Sequence, residues 1–508
     1  MSKERVAKEV LKEIKEGISK EEIEKLKTKL ASKYGIEIPG NEFILSQAEN
    51  RKEVLEKLKR KPTRTLSGVS VVAVMTSPEE CPHGTCVYCP KNPEVPQSYA
   101  NNEPAVMRAI ALNFDPYGQT KTRLEQLEII GHPTDKIELI IMGGTFTGRN
   151  LNYQKFFVKR CFDALNEKET KSLEEAKKRN EKAKHRCVGL TVETRPDFMK
   201  KKEINRVLGF GATRVELGVQ FPDDRIYKEM KRGHTVKDVV ESTRLLKDSG
   251  FKVCYHLMPN LPGSSPEKDL EMFELVFENP DYRPDMLKIY PTLVLKNSEL
   301  EKIWRRGEYE PYSNEELVDL LCRIKKELPP YVRVMRLQRD VPSAEILAGC
   351  RFSNLRQIVH EEMKRNEMKC RCVRCREAGH RKACSPFVFR KMAYEASGGE
   401  ELFLSYEDKE GTMAGMLRLR FPFMPFRPEI TKKTSIVREL HVYGAEAPLG
   451  EKGQIQHRGF GERLLKKAEE ISREKGMEKI AIISGVGVRE YYRKRGYGLE
   501  GVYMSRTI

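Results

Sequence analysis

The chain is 508 residues long, which exceeds one ordinary hydrophobic core and predicts two large domains with smaller appendages. Its 93 Lys and Arg outnumber 75 Asp and Glu, and the formal charge of +18 favours a polyanionic partner such as RNA, DNA or an anionic membrane surface. A solvated, charge-rich surface of the kind found in heat-stable proteins gives the same balance. The net charge therefore favours polyanionic partners as a class but does not distinguish among RNA, DNA and an anionic membrane.

No apolar run approaches the roughly 20 residues that a membrane-spanning helix needs, and the first residues lack the apolar core of a signal peptide. We therefore expect a soluble, cytoplasmic protein. Six of the 12 cysteines fall in two tight clusters, which in a long intracellular chain indicates metal binding rather than disulfides. The isolated cysteines are of the kind that packs in apolar cores: Cys161, Cys187, Cys254, Cys322, Cys350 and Cys384.

Residues 1–66 are predicted to form a small basic helical module. Lys and Glu alternate there with apolar positions at helical spacing, such as Val6 and Val10 and then Ile23 and Leu30. Two roles fit this composition: a helical cap with a solvated face, or an arm that docks RNA. We take forward the docking of tRNA as the hypothesis for this module.

From residue 67 to about 340, short β-branched runs alternate with helical stretches. This alternation predicts parallel βαβ units that close into a full or partial barrel. The six predicted strands are Val69–Met75, Ile137–Met142, Val188–Glu193, Arg214–Val219, Lys252–Met258 and Met286–Tyr290.

The candidate catalytic and ligand-binding residues follow the carboxyl ends of these strands. Parallel barrels place their catalytic groups at that edge. In strand order the sequence has there Cys81 to Cys89, Gly143 with Gly144, Glu193 with Arg195, Gln220, Pro259 and Pro291. We therefore expect a single active site at this edge.

Three cysteines lie in the loop after the first strand at C-x4-C-x2-C spacing: Cys81, Cys86 and Cys89. Three thiolates do not complete a tetrahedral zinc site, but they hold three irons of a 4Fe–4S cluster and leave the fourth iron open to another ligand. The alternative is a zinc ion with His83 as its fourth ligand. The open iron is what would give this loop a catalytic function.

This loop resembles the cluster loop of the radical S-adenosylmethionine (SAM) superfamily. The resemblance implies that the methionine part of SAM binds the open iron and that an electron from a donor cleaves SAM to a 5′-deoxyadenosyl radical. Tyr88 matches the family's aromatic residue near the adenine. Gly143, Gly144 and Thr145 resemble the superfamily's Gly-Gly motif, whose backbone receives the methionine amine.

Residues 341–395 read as a cysteine-rich, basic connector. Cys370, Cys372 and Cys375, with one imidazole, would complete a closed, structural zinc site. His360, His380 and Cys384 are all candidates for the fourth ligand, and a second redox cluster is the alternative to zinc. A folded connector would hold three arginines outward, where they could contact phosphate: Arg371, Arg374 and Arg376.

Residues 396–508 predict a compact α+β domain. Strands are expected at Leu402–Tyr406, Met413–Arg420, Ile436–Tyr443 and Ile480–Ser484, with a helix opening near Gly459. The segment from Gln456 to Gly461 stands between a strand and that helix, so its backbone N–H groups and the helix dipole suit a pyrophosphate. An ordinary glycine turn beside core tyrosines is the alternative.

This segment resembles the Q/R-x-x-G-x-G/A cradle of GNAT acetyltransferases. The resemblance implies acetyl-CoA as substrate, with the preceding strand receiving the acetyl and pantetheine groups and Tyr492 lying near the thioester sulfur as a catalytic residue. The acetyl-CoA residues so implied are Glu439, Leu440, His441, Val442, Gln456, Gly459, Phe460, Gly461, Glu462, Tyr491 and Tyr492.

A radical SAM barrel, a zinc connector and a GNAT domain in this order resemble the Elongator catalytic subunit, including its single-chain archaeal forms, over nearly the whole chain. The resemblance favours His360 as the fourth zinc ligand and implies that Lys136 contacts CoA. Further matching stretches are Asp135-Lys136, Glu193–Asp197, Glu216–Gln220, Arg232–Thr235, Leu287–Thr292 and Arg336–Asp340.

The same resemblance implies a tRNA acyltransferase that forms 5-carboxymethyluridine at the wobble position. Unpaired anticodon bases suit such an enzyme, since they are splayed into a pocket at modest cost. The rival function is a protein lysine acetyltransferase with a structural iron–sulfur domain, and a non-catalytic tRNA-binding scaffold is a third. Nothing in the sequence requires other Elongator subunits, and it leaves open whether the chain is a homodimer.

Overall fold

We describe the fold from a computed structural model, which defines residues 2–50, 54, 57, 58, 68–379, 381, 386–444 and 458–508. The N-terminal module is helical, as predicted: its helices are Ser2–Lys15, Lys20–Tyr34 and Asn41–Ser46. Their apolar stripes form a separate small core that includes Val6, Val10, Ile23 and Leu30.

The first sheet has seven strands in the order β1-β2-β3-β4-β5-β6-β8, all parallel. All six predicted strands are confirmed within one or two residues, and one more was missed. Among the described residues the edge strands β1 and β8 do not pair, so the sheet is a partial barrel. The strands are β1 Ser70–Met75, β2 Lys136–Met142, β3 Arg186–Thr194, β4 Arg214–Gln220, β5 Lys252–Leu257, β6 Met286–Ile289 and β8 Arg333–Arg336.

Helices cover the outer face of this sheet, as expected of right-handed βαβ crossovers. The helix Pro116–Ile129 packs on β1, and Val236–Asp248 packs on β5. The remaining helices of this region are Pro104–Ala111, Leu151–Leu165, Leu173–Asn180, Lys201–Phe210, Asp224–Glu229, Pro266–Glu278, Glu299–Arg305 and Asn314–Glu327, with short 3₁₀ turns at Phe146–Gly148 and Pro196–Phe198.

A short connector follows the first sheet. It contains the 3₁₀ turn Ser343–Glu345, the strand β9 Ile346–Ala348 and the helices Leu355–Arg365 and Val373–Arg376. Strand β9 pairs antiparallel with β7 Val294–Leu295, which follows β6 in the barrel region. The first of these helices packs against Asn314–Glu327. The connector is therefore anchored on the first sheet's layer of helices.

The second sheet also has seven strands, in the order β10-β11-β12-β13-β14-β16-β15. Only β13 and β14 pair in parallel. The first strand, β10, lies almost wholly within residues 341–395, the range that the sequence assigns to the connector, but it pairs with β11 along its whole length and so belongs to this sheet. The strands are β10 Val388–Ala396, β11 Gly399–Glu407, β12 Met413–Phe421, β13 Thr434–Val442, β14 Lys479–Ile482, β15 Gly498–Glu500 and β16 Tyr503–Thr507.

Three further elements complete the second domain: helix Phe460–Glu474, 3₁₀ turn Val486–Val488 and helix Arg489–Arg493. The long helix packs across β12 and β13. The glycines of the 3₁₀ segment lie directly on strand β3 of the first sheet, because a Cβ atom at Gly485 would stand 2.1 Å from the carbonyl oxygen of Val188. The second domain is thus in direct contact with the first sheet.

Buried ion pairs join the two sheets. Arg438 on β13 donates to both carboxylate oxygens of Asp285, which precedes β6, and to Glu401 on β11 at 3.0 Å. Arg420 on β12 donates to Asp248 at 2.9 and 2.6 Å. All five side chains are fully buried. Removing one partner would strand a buried charge, so these pairs hold the sheets in one arrangement.

No helix among the described residues is long and apolar enough to cross a membrane.

Candidate active site and metal centres

The predicted cluster loop lies at the carboxyl edge of the first sheet. Cys86 and Cys89 are buried and Cys81 is partly exposed. The backbone N–H of Val87 donates to the carbonyl of Met230 at 3.2 Å, so the loop is fastened to the segment that follows β4. The cysteine loop is therefore held at the edge of the sheet where we expect the active site.

The spacing of the sulfur atoms distinguishes the two cysteine clusters. The sulfurs of Cys370, Cys372 and Cys375 all lie within 4.8 Å of one another, the spacing that a single ion with metal–sulfur bonds of about 2.3 Å requires. Among the described residues, the three sulfurs of the first cluster do not form so tight a group. The second cluster therefore suits one ion.

Arg232 is the charged side chain at the first cluster. Its Nη1 donates to the Cys86 sulfur at 3.3 Å and to the Tyr88 hydroxyl at 2.9 Å. His83 Nε2 lies 3.1 Å from the same sulfur. A hydrogen bond from Cys89, together with the charge of Arg232, lowers the pKa of Cys86 to about 6. This cysteine is therefore prepared as a thiolate, the form that binds metal.

The Gly-Gly turn after β2 needs glycine for steric reasons. Gly143 and Gly144 have φ values of +124° and +83°. A Cβ atom at Gly143 would stand 2.0 Å from the Thr76 hydroxyl oxygen, and one at Gly144 would stand 3.7 Å from the Cys81 sulfur. Thr145 Oγ1 lies 3.7 Å from that sulfur. The turn thus presents bare backbone beside the cluster loop, as a bound amine requires.

A polar cluster lines the barrel below the cysteine loop, where packed barrels hold branched apolar residues. Glu193 accepts from Tyr99 at 2.8 Å and from Lys288 at 3.3 Å. Lys288 also pairs with Glu216, which lies 2.9 Å from His256 Nε2. Sequence reasoning did not single out Tyr99, His256 or Lys288 as site residues. The sequence does contain a signal for most of this cluster: single polar residues stand within strands whose other residues are largely apolar, as His256 does in β5 and Lys288 in β6.

The second cluster brings His360 to its cysteines. His360 is part of the helix Leu355–Arg365, and its Nε2 lies 3.7 Å from the Cys375 sulfur. Burial lowers the pKa of His360 to about 4, so its imidazole is neutral and able to bind metal. Lys325, fully buried, donates to Cys370 at 3.3 Å, a neighbour that the sequence did not reveal.

The three connector arginines do not all point outward. Arg371 is exposed and Arg374 is half-buried, but Arg376 is buried. Arg376 donates to the carbonyls of Arg371 and Pro330 and to the Glu407 carboxylate at 2.7 Å. The expectation that Arg376 contacts phosphate is therefore wrong, because its guanidinium is used to join the connector to both sheets.

In the second sheet, β13 splits away from β14. The two strands pair only from Thr434 to Val437, whereas β13 continues to Val442. Among the described residues, the backbone of Glu439, Leu440, His441 and Val442 therefore has no partner on β14. Unpaired backbone donors and acceptors suit an extended amide-bearing ligand.

Gly459, with φ of +76°, begins the helix Phe460–Glu474, and its first turn includes Glu462. A Cβ atom at Gly461 would stand 3.0 Å from the Tyr491 hydroxyl, so the helix N-terminus and the predicted tyrosines adjoin. Tyr492 packs edge-to-face on Tyr491 and is buried. Gln456, His380 and Cys384 lie outside the described residues.

Lys136 begins β2 and stands in register with Arg186 on β3. A Cβ atom at Gly487 would meet the Arg186 Cβ at 2.6 Å, so the segment that leads into the tyrosine helix lies on that strand. Lys136 therefore belongs to the first domain, and only strand β3 separates it from the second domain. Its Nζ lies 3.7 Å from the Asp135 carboxylate and is partly exposed.

The partial barrel and its cysteine loop define the class of the protein. The radical SAM superfamily profile matches residues 75–276, and the radical SAM C-terminal domain profile matches residues 284–365. This is a radical SAM protein, a class whose chemistry depends on a 4Fe–4S cluster and SAM.

Comparison with known proteins narrows the class. The profile of the ELP3 N-terminal domain matches residues 3–66. The chain is 51% identical to the tRNA uridine(34) acetyltransferase of Methanocaldococcus infernus, covering 99% of this chain and 98% of the relative. It is 44% identical to human Elongator complex protein 3, covering 96% and 93%. A solved structure of Methanocaldococcus infernus Elp3 lacking residues 1–46 superposes with a TM-score of 0.78 at 50% identity, over 87% of this chain and 99% of that one. The chain belongs to the Elongator complex protein 3 family.

Proposed function

We propose that this protein is a tRNA uridine(34) acyltransferase that forms 5-carboxymethyluridine at the wobble position from acetyl-CoA. The observation that carries the proposal is the direct contact, fixed by buried ion pairs, between a radical SAM barrel and a second sheet with a split-strand cleft. Two relatives in Methanocaldococcus, each 51% identical to this chain, bear the name tRNA uridine(34) acetyltransferase.

In this proposal Cys81, Cys86 and Cys89 hold three irons of a 4Fe–4S cluster. With SAM bound at the fourth iron, that group supplies a carbon-centred radical once a donor provides an electron. The chain's own part is to place the cofactor: Gly143, Gly144 and Thr145 offer backbone and hydroxyl groups beside Cys81.

The polar cluster inside the barrel would hold the uracil ring. Its carboxylates and its lysine provide acceptors and a donor in a water-poor setting, where each hydrogen bond is strong. Tyr99, which follows the cysteines in the same loop, bonds Glu193 directly, and Glu193 in turn accepts from Lys288.

Acetyl-CoA would bind in the second sheet, with its thioester on the unpaired part of β13 and its pyrophosphate at the helix N-terminus. The residues proposed to line this cleft are Glu439, Leu440, His441, Val442, Gly459, Phe460, Gly461, Glu462, Tyr491 and Tyr492, with Gln456 on the preceding segment. Lys136 would contact CoA from the first domain, since its strand adjoins the second.

Zinc would bind Cys370, Cys372 and Cys375 with His360 as the fourth ligand. The sulfur spacing and the neutral imidazole 3.7 Å from one sulfur support this assignment. Four protein ligands leave no open position, so this ion is structural. It would fasten the connector helix Leu355–Arg365 to the segment that enters the second domain.

The proposed domains are a tRNA-docking module over residues 1–66, a radical SAM barrel over 67–340, a zinc connector from 341 and a GNAT-type acetyltransferase domain to 508. The second sheet's first strand moves the start of the last domain to Val388. For tRNA, the exposed Arg371 and the half-buried Arg374 remain the candidate phosphate contacts on the connector.

An anaerobic assay tests the proposal. The protein, reconstituted with iron and sulfide, is incubated with reductant, SAM, methyl-labelled acetyl-CoA and unmodified tRNA, and the nucleosides are analysed by mass spectrometry. We expect labelled 5-carboxymethyluridine that disappears in Cys89→Ala. An intact cluster that cleaves SAM without labelling any nucleoside would overturn the proposal and favour a lysine acetyltransferase, for which labelled peptides are then measured.

A further inference from the structure

Arg232 is a buried cation without a carboxylate partner. It lies between helices Asp224–Glu229 and Val236–Asp248, and its side chain is buried. The acceptors that the structure gives it are the Cys86 sulfur at 3.3 Å, the Tyr88 hydroxyl at 2.9 Å and the carbonyl of Gly218. The described part of the chain provides no ion pair for this guanidinium. Burying a charge in this way is costly unless a negative group compensates it.

The neighbouring arginine shows the contrast. Arg195 also follows a strand of the first sheet and is buried, but Asp197 neutralises it through two hydrogen bonds of 2.9 and 2.8 Å. Among the described residues, the acceptors of Arg232 are the Gly218 carbonyl and two groups of the cysteine loop. The Cys86 sulfur, which carries negative charge once it binds iron, is the one that compensates the guanidinium.

The backbone around Arg232 fits the cluster loop closely. The N–H of Val87 donates to Met230, and a Cβ atom at Gly233 would stand 2.9 Å from the Cβ of His83. Gly233 has a φ of +66°, a conformation that glycine adopts without strain. The turn thus holds the guanidinium at a fixed distance from the loop.

A fixed cation beside a cluster sulfur affects the reduction potential. Reduction adds one negative charge to an iron–sulfur cluster, and a nearby positive charge or an N–H···S hydrogen bond stabilises that charge. The reduced form gains more than the oxidised form, so the midpoint potential rises. A higher potential makes the cluster easier for a donor to reduce.

We propose that Arg232 is a positioning residue that raises the reduction potential of the iron–sulfur cluster through its hydrogen bond to the Cys86 sulfur, and that it fixes Tyr88 at the same time. The inference deepens the proposed function and rests on one part of it, namely that the three cysteines hold the cluster.

The test is a redox titration of the full-length, reconstituted protein, without SAM or tRNA, followed by the electron paramagnetic resonance signal of the reduced cluster. In Arg232→Met we expect at least a tenfold fall in the reduction equilibrium constant, equivalent to a decrease of about 59 mV for a one-electron couple. Arg232→Lys keeps the charge but loses the planar guanidinium, so its reduction potential should lie between those of the wild-type protein and Arg232→Met.

Two controls separate the causes. Arg225→Met removes a cation from the same segment, but that side chain is 85% exposed and pairs with Asp223, so the potential should stay at the wild-type value. Tyr88→Phe removes the hydroxyl while leaving the bond from Arg232 to Cys86. We expect its potential to stay close to wild type as well.

Iron content distinguishes the possible failures. An Arg232→Met protein with full iron and an unchanged potential would overturn the inference. Loss of iron from both Arg232 variants would assign the residue to cluster assembly, which also overturns it. A wild-type protein that takes up no cluster would instead overturn the proposed function.

Discussion

The two cysteine clusters have similar spacings in the sequence but different settings in the structure. The first follows β1 and faces the barrel interior, with Arg232 and the Gly-Gly turn beside it. The second spans the start of the connector helix Val373–Arg376, with its sulfurs within 4.8 Å and His360 next to them. In our proposal the first site leaves a coordination position open, and the second has four protein ligands.

The comparison teaches that the neighbouring side chains, more than the spacing of the cysteines along the chain, distinguish two metal sites. Arg232 places a positive charge at the cluster that we propose to exchange electrons. Lys325 and His360 complete the surroundings of the other cluster, for which we propose a structural role. If the two sites are independent, a substitution at one should leave the metal of the other in place.

The largest effect is expected from Cys89→Ala. Removing one of three iron ligands should abolish the cluster and lower carboxymethylation of tRNA by more than roughly 1,000-fold, because the radical step has no alternative source. Iron content and nucleoside mass spectrometry measure it. Zinc content should stay at the wild-type value. A parallel loss of zinc would show that the two sites are not independent.

Cys372→Ala should act on stability. We expect the bound zinc to be lost and the unfolding temperature to fall by about 5 °C or more, since a structural zinc contributes several kcal/mol to folding. Metal analysis and scanning calorimetry test this. The iron of the first cluster should be retained at 20 °C. An unchanged unfolding temperature after complete loss of zinc would contradict a structural role.

His360→Ala should weaken the same site without abolishing it. Three thiolates remain, so we expect zinc affinity to fall by at least roughly tenfold. Competition with a chelator measures the affinity. His380→Ala is the matched control, because His380 is the other histidine of the connector and should leave the affinity unchanged. The opposite ranking would make His380 the ligand.

Gly143→Ala should have the smallest effect. A Cβ atom there would meet the Thr76 hydroxyl at 2.0 Å, and alanine is strained at a φ of +124°. We expect the dissociation constant for SAM to rise about fivefold, or about 1 kcal/mol, measured by equilibrium dialysis of the reconstituted protein. Adding Thr76→Ala should restore part of the affinity by removing the clash. If the dissociation constant for SAM is unchanged in Gly143→Ala, this turn is not part of the SAM site.

Much of the fold could be predicted because strand period and loop chemistry are local. The six strands of the barrel were found from β-branched runs, and the cluster loop and Gly-Gly turn follow them as expected. The strand Arg333–Arg336 was missed because it has only four residues, of which the first and the last are charged. Val388–Ala396 was missed because it is a largely exposed edge strand beside the cysteine-rich segment.

The sequence by itself determined the sites whose ligands are close together along the chain: the two cysteine clusters, the Gly-Gly turn and the helix N-terminus at Gly459. It also determined the family, through motifs spread over both domains. Only the tertiary structure decided which distant residues complete those sites. Arg232 reaches Cys86 from 146 positions away, and Arg376 is drawn inward by Glu407. Contacts between side chains far apart in sequence depend on packing, which local patterns do not encode.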